Sequence, residues 1–155
     1  MNSLLIILGK LLLAIILGYC IGLERESTGK PAGSRTYALV SLGATLFTII
    51  ALEGFNQFAN IDPSRIVGQI IVGIGFIGAG LIIFEKHEIE GLTTAAALWT
   101  SAAMGVAIGL GWFAVAIITA FLIFFVLFVL GKLEYELKSK NTLWGASHKK
   151  KKWWF

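Results

Sequence analysis

Between Gly22 and Thr36 the chain reads GLERESTGKPAGSRT, and this run holds the ionisable groups best placed for chemistry: Glu24, Arg25, Glu26, Lys30 and Arg35. Strongly apolar segments flank it, so three cations and two carboxylates sit against hydrocarbon. Charges so placed are costly unless they pair or face a water-filled space. Glu24, Arg25 and Glu26 fall where the first apolar segment ends, and Arg35 where the second begins, which predicts a Glu24–Arg35 or Glu26–Arg35 pair. Lys30-Pro31-Ala32-Gly33 reads as the turn between them, with Pro31 fixing φ and Gly33 free to take φ > 0. The bland role for these charges is to anchor topology. The preferred one is a charged vestibule or docking surface made by Glu24, Arg25, Lys30, Gly33 and Arg35.

Other polar groups are few. Gln69 is the one uncharged amide within an apolar segment, and Thr93, Thr94, Thr100 and Ser101 are its candidate partners. Helix-to-helix glue is its plain role, and lining a polar cavity the sharper one. Glu85-Lys86-His87-Glu88-Ile89-Glu90 gathers three carboxylates and an imidazole in a loop. A weak contact with a hard divalent cation fits its chemistry, but a solvated loop is the stronger reading. Zinc is poorly served, because Cys20 is remote and His148 isolated. There is no GxSxG, no HExxH and no phosphate-cradling loop leading into a helix, so neither an enzyme, a metal site nor a cofactor is expected. The Gly73–Gly80 run GIGFIGAG lies mid-segment with no strand before it and reads as packing, not dinucleotide binding.

The elements that must position these groups follow from composition. Of 155 residues, 57% are hydrophobic and only 14% charged, and the charges are segregated between long apolar runs. A soluble domain would carry nearer a quarter charged residues. The apolar runs are Leu4–Leu23, Thr36–Leu52, Ile66–Phe84, Leu92–Leu110 and Trp112–Leu130. Each suits a helix of 1.5 Å rise crossing a ~30 Å hydrocarbon core. The expected fold is therefore all-α: a bundle of five transmembrane helices over residues 1–131, with a short basic tail at 132–155. Gly109-Leu110-Gly111-Trp112 must form a very tight turn between the last two. The first segment lacks a basic leader and a small-x-small cleavage site, so it reads as a retained helix. Cys20 lies within it as a buried, inert thiol.

Charge orients the bundle. Eleven cations fall in the first loop, third loop and tail, against Arg65 alone on the other side, where Asp62 also lies. The positive-inside rule puts the N-terminus outside and the C-terminus in the cytoplasm. Lys10 lies inside the first span and either snorkels to the interface or faces a cavity. The net charge of +4 comes from Lys149–Lys152, and no basic soluble module exists to bind nucleic acid. KKKKWWF at Lys149–Phe155 reads as attachment to the membrane surface.

Small residues permit close helix approach in lipid. In the third span Gly68, Gly75, Gly78 and Ala79 share one side, with Gly73 and Gly80 on another, which places this helix at the centre. The fourth carries Thr94, Ser101, Gly105 and Gly109, and the first has Gly18 and Gly22. The fifth, rich in Phe, Leu, Ile and Val, should be the most lipid-exposed. The result is a compact bundle that could pair as a homodimer.

Three ordered blocks carry a resemblance: GLERESTGKPAGSRTYALVSLGATLF, then DPSRIVGQIIVGIGFIGAGLI at Asp62–Ile82, then GLTTAAALWTSAAMGVAIG at Gly91–Gly109. With these the chain resembles the MgtC/SapB family of bacterial inner-membrane proteins over roughly Leu4–Leu130. The resemblance implies a five-helix membrane domain with the N-terminus outside. It also implies a role in adaptation to low magnesium and in virulence-type stress survival. Family members are thought to act by binding other membrane proteins, F-type ATP synthase among them, more than by moving Mg²⁺. By motif, family importance passes to Glu24, Arg25, Lys30, Gly33, Arg35, Asp62, Arg65, Gln69, Gly75, Gly78, Gly91, Thr93, Thr94 and Trp99. Many members add a cytoplasmic ACT-like regulatory domain. Here about 25 residues follow the last span, so that regulation is not expected. Two functions then compete: a membrane regulator acting through helix contacts, which the glycine faces favour, and a small transporter or channel for Mg²⁺ or another small ion or solute.

Overall fold

Apolar runs separated by charge and glycine become helices here, the third of them only as far as Ala79. A computed structural model describes residues 2–55, 62–85, 88–133 and 136–137. Helix α1 (Asn2–Ser27) leads to α2 (Ser34–Ile49), which runs on as a π-helical turn at Ile50–Gly54. Then come α3 (Pro63–Ala79), two short strands β1 (Ile83–Glu85) and β2 (Glu88–Glu90), α4 (Leu92–Gly109) and α5 (Phe113–Phe125), the last extended by a π-helical turn at Val126–Leu130. The tail motif KKKKWWF, with Lys86 and His87, lies outside the described residues.

Four of these helices, α1, α2, α4 and α5 with their extensions, are long and apolar enough to cross a bilayer. Helix α3 is shorter, at 17 residues. The apolar run from Ile66 does not stay helical to Phe84. It ends at Ala79, and Ile83 and Phe84 enter an antiparallel hairpin opposite Glu90 and Ile89. The acidic segment expected as a loop is thus part strand.

The centre of the bundle is α4, not α3. Of the most apolar stretch of α4, 61% is buried, against 17% in both α1 and α5. The reason is compositional: Ala97, Ser101, Ala102, Gly105 and Gly109 make α4 slim around most of its girth, so neighbours close on several sides. Gly105 meets the backbone of Ser41, and Gly109 lies 2.5 Å, measured from an added Cβ, from Thr48 Cβ. Between these helices Thr45 Oγ1 is 2.8 Å from Gly105 O and 2.9 Å from Ser41 O, so one proton is shared between α4 and its own helix. Helix α1 packs on α2 through Gly18 against Tyr37 and Gly22 against Ser34. Among the described residues, a Cβ added in α3 would meet a neighbour only at Gly78, where it finds Ala95, while at Gly68, Gly73 and Gly75 it would meet nothing within 4 Å.

This division makes a direct prediction. Gly105→Ala should lose about 2 kcal/mol, the usual cost of overpacking, because the new methyl meets backbone. Gly75→Ala should hold or gain up to about 1 kcal/mol through helix propensity alone. Unfolding in SDS followed by tryptophan fluorescence compares them. Equal losses would show that α3 is packed on that side.

Large side chains cover the outer faces. Leu4, Leu8, Leu12 and Ile16 on α1 and Phe121, Phe124 and Phe128 on α5 are exposed, so α1 is as open to lipid as the fifth helix. Cys20 is exposed as well, because it falls about 200° around α1 from Gly18. Lys10 reaches the turn between α4 and α5. Its Nζ donates to Gly109 O at 2.8 Å, placing a cation on a carbonyl that the end of α4 leaves without a helical partner. Both helix ends that turn tightly use glycine: Gly29 (φ 67°) after α1 and Gly111 (φ 83°) after α4. In each, paired backbone bonds satisfy the last carbonyls, Lys30 N to Arg25 O at 3.0 Å and Trp112 N to Ala107 O at 2.8 Å.

Candidate functional site

Helix α1 does not stop at Leu23, and its extra turn sets the chemistry. Ala14, Gly18, Ile21, Gly22 and Arg25 recur at i, i+4, i+7, i+8 and i+11, so continuing the helix to Ser27 carries Arg25 onto the buried face. Arg25 is 4% exposed. Its Nη1 lies 3.5 Å from Glu24 Oε2 and its Nη2 3.5 Å from Thr94 Oγ1. Its Nε has no partner among the described residues. A guanidinium has five donors, so this one is buried with long contacts and unmet capacity.

Thr94 ties the site to the bundle. Its hydroxyl faces Arg25, and its carbonyl accepts from the buried Tyr37 hydroxyl at 3.5 Å. Gly91 starts α4 in the left-handed region at φ 89°, and its carbonyl takes the first helical bond, from Ala95 N at 2.9 Å. Glu26 completes the α1–α2 connection. It accepts from Ser34 N at 3.1 Å and from Ser34 Oγ, supplying a carboxylate to the free N–H groups at the start of α2.

That bond replaces the expected ion pairs. Neither Glu24–Arg35 nor Glu26–Arg35 forms among the described residues, because Glu24 turns to Arg25 and Glu26 to Ser34. Arg35 is exposed. Nor does Gly33 take positive φ. It is extended at φ −106°, and its place against the Glu26 side chain is what a larger residue would crowd. The left-handed turn falls to Gly29 instead.

Glu24, Arg25, Lys30 and Thr93 line one cavity of about 690 Å³ at this end of the bundle, joined by Lys132 and the apolar wall from Val126 to Leu130. Gly33 and Arg35 are not in its lining. Gln69 lies elsewhere: it is exposed in a separate groove of about 680 Å³ between α2 and α3, beside Gly43 and Gly73. Among the described residues it has no hydrogen bond to Thr93, Thr94, Thr100 or Ser101, none of which lines that groove. Asp62 caps α3 by accepting from Ser64 N at 2.9 Å. Those Ser64 bonds hold its carboxyl below the usual carboxylate range, and Arg65 beside it is exposed.

Sequence reasoning passed over Tyr37, Thr28 and Lys132. Tyr37 had a signal, since Tyr37, Ser41, Thr45 and Thr48 repeat on one face of α2 and are all buried. That face meets α4, where Ser101 is buried too. Ser41 Oγ and Ser101 Oγ have no hydrogen-bond partner among the described residues. Among the same residues no group of three or more His, Cys, Asp and Glu could hold a metal ion.

Apolar helices of crossing length, wide apolar outer faces and a buried arginine at one end define a helical membrane protein. Its sequence matches the model of the MgtC family over residues 11–136, and the chain belongs to that family. It is 42% identical over 137 residues to the "Putative magnesium transporter YhiD" of Escherichia coli K12, covering 85% of this chain and 64% of that protein. It is 42% identical over 123 residues to Protein SrpB of Synechococcus elongatus, covering 72% and 68%. With Protein MgtC of Salmonella typhimurium LT2 it shares 46% over 104 residues, covering 67% and 43%. The chain thus spans less than two thirds of the first and third of these relatives. No solved structure matches it.

Proposed function

We propose that this protein is an MgtC-like component of the bacterial inner membrane that serves adaptation to low magnesium and stress survival by gripping another membrane protein. The observation that carries this reading is the open groove between α2 and α3. It is lined by Gly43 and Gly73, and a Cβ added at either would meet no other atom of the described residues within 4 Å. Helices associate in lipid where small residues let backbones approach, and no described residue of the chain packs onto these two glycines. The family suggests F-type ATP synthase as partner, and a homodimer would use the same face. In this reading α3 is a fifth, shorter crossing, and the cation count places the N-terminus outside and the C-terminus in the cytoplasm.

The test is co-purification after cross-linking in cells. Gly43→Leu and Gly73→Leu should cut recovery of a partner at least tenfold with expression unchanged. Undiminished recovery from both would sink the reading. Gly105 does not serve here, because it packs against Ser41 within the chain.

Magnesium transport is the second reading, favoured by the name of the YhiD relative and by the unpartnered hydroxyls of Ser41 and Ser101 on the α2–α4 seam. The tight approach of Gly105 and Gly109 to α2 speaks against an open path there. Mg²⁺ flux into proteoliposomes decides between them: flux that Ser101→Leu abolishes would install transport, and flux no greater than in empty liposomes would remove it.

A further inference from the structure

We propose that the cavity at the end of α1 seats the phosphate of an anionic phospholipid, with one acyl chain lying in the furrow between α4 and α5. Five observations meet here. Arg25 lines the cavity while nearly fully buried, with contacts no shorter than 3.5 Å and Nε unpartnered. A buried guanidinium left so poorly paired is costly, and a phosphate oxygen would meet its fork geometry. Lys30 and Lys132 lie in the same lining, so three cations face the single carboxylate of Glu24, which is already turned to Arg25.

The remaining wall is apolar, from Val126, Leu127, Phe128 and Leu130. A soluble anion has no use for such a wall. Thr93, Val126 and Leu127 also line a second cavity of about 280 Å³ between α4 and α5, which continues past Ala96, Ala97 and Ile123. Cationic and apolar parts therefore form one track. A furrow of this volume is too slight for a helix ~10 Å across but suits a single hydrocarbon chain. Glu24, Arg25 and Lys30 also follow the end of the apolar run at Leu23, which is where a span of that length would meet lipid headgroups.

The experiment is native mass spectrometry of the full chain in neutral detergent, titrated with dioleoyl phosphatidylglycerol, dioleoyl phosphatidylcholine or inorganic phosphate. Phosphatidylglycerol should bind at one copy per chain at least tenfold more tightly than phosphatidylcholine. Lys30→Gln/Lys132→Gln should weaken it about 30-fold, at roughly fivefold per lysine, with the detergent melting temperature unmoved. Ala96→Phe, which fills the furrow and leaves every cation in place, should weaken it at least fivefold. Equal binding of the two lipids, or indifference to the double lysine variant, would overturn the proposal. Inorganic phosphate binding as tightly as phosphatidylglycerol, with Ala96→Phe silent, would overturn it in favour of a soluble anion.

Discussion

Gly91→Ala is expected to destabilise the protein by about 2–5 kcal/mol, enough to remove much of a typical domain's margin. Two independent terms add. Gly91 has φ 89° and ψ −9°, and an L-residue held in the left-handed region costs roughly 1–2 kcal/mol. The alanine methyl would also land on the Leu81 carbonyl oxygen. That atom is backbone at the foot of the hairpin and has no rotamer to escape into, so relief requires moving the hairpin or α4, at about 1–3 kcal/mol. Moving α4 shifts Thr94, and with it the contacts to Arg25 and Tyr37. Gly29→Ala separates the terms, since Gly29 has φ 67° but an added Cβ there meets nothing within 4 Å among the described residues. It should lose only the conformational part. Unfolding in SDS reads both variants, and equal losses would show that the contact with Leu81 is relieved without cost.

Much of the fold was legible because apolar runs of crossing length leave little besides helix for a chain in lipid. Helix α4 matches its expected bounds to within one residue, and the Gly109–Trp112 turn follows from the absence of any polar linker. What sequence hid was competition. Ile83 and Phe84 extend the apolar run of α3, yet pairing with Ile89 and Glu90 takes them into a strand. Glycine content marked α3 as the crossroads, but a glycine records only that approach is possible. Gly75 and Gly105 look alike in sequence, and among the described residues only the second is met by a neighbour. Charge misled in the same way. Glu26 was matched to Arg35 by sign, while the unpaired N–H and the hydroxyl of Ser34 lay nearer. Arg25 was distinguishable from Arg35 by helical phase alone, once α1 is carried four residues beyond Leu23.

Removing the Arg25 guanidinium is the change expected to reveal what that buried charge is for. Arg25→Met keeps the length of the side chain and deletes its donors, leaving the Glu24 side chain, only 9% exposed, without its cation. Stranding one partner of a buried pair costs about 3–5 kcal/mol, and the long contacts here put this case at about 3 kcal/mol. Glu24→Gln/Arg25→Met should recover most of that loss, because a buried pair exchanged for uncharged groups is often neutral. Arg35→Ala, at an exposed site, should stay within about 0.5 kcal/mol. The double-mutant cycle, read by SDS unfolding, gives the coupling directly. A coupling under about 0.5 kcal/mol would make Glu24 a bystander and leave Thr94 as the anchor. A recovered double variant carries a sharper meaning. The bundle would then stand without its most buried cation, so Arg25 is held there for the cavity it lines and not for the fold. The same double variant should accordingly keep its melting temperature in detergent while losing any added stability from phosphatidylglycerol.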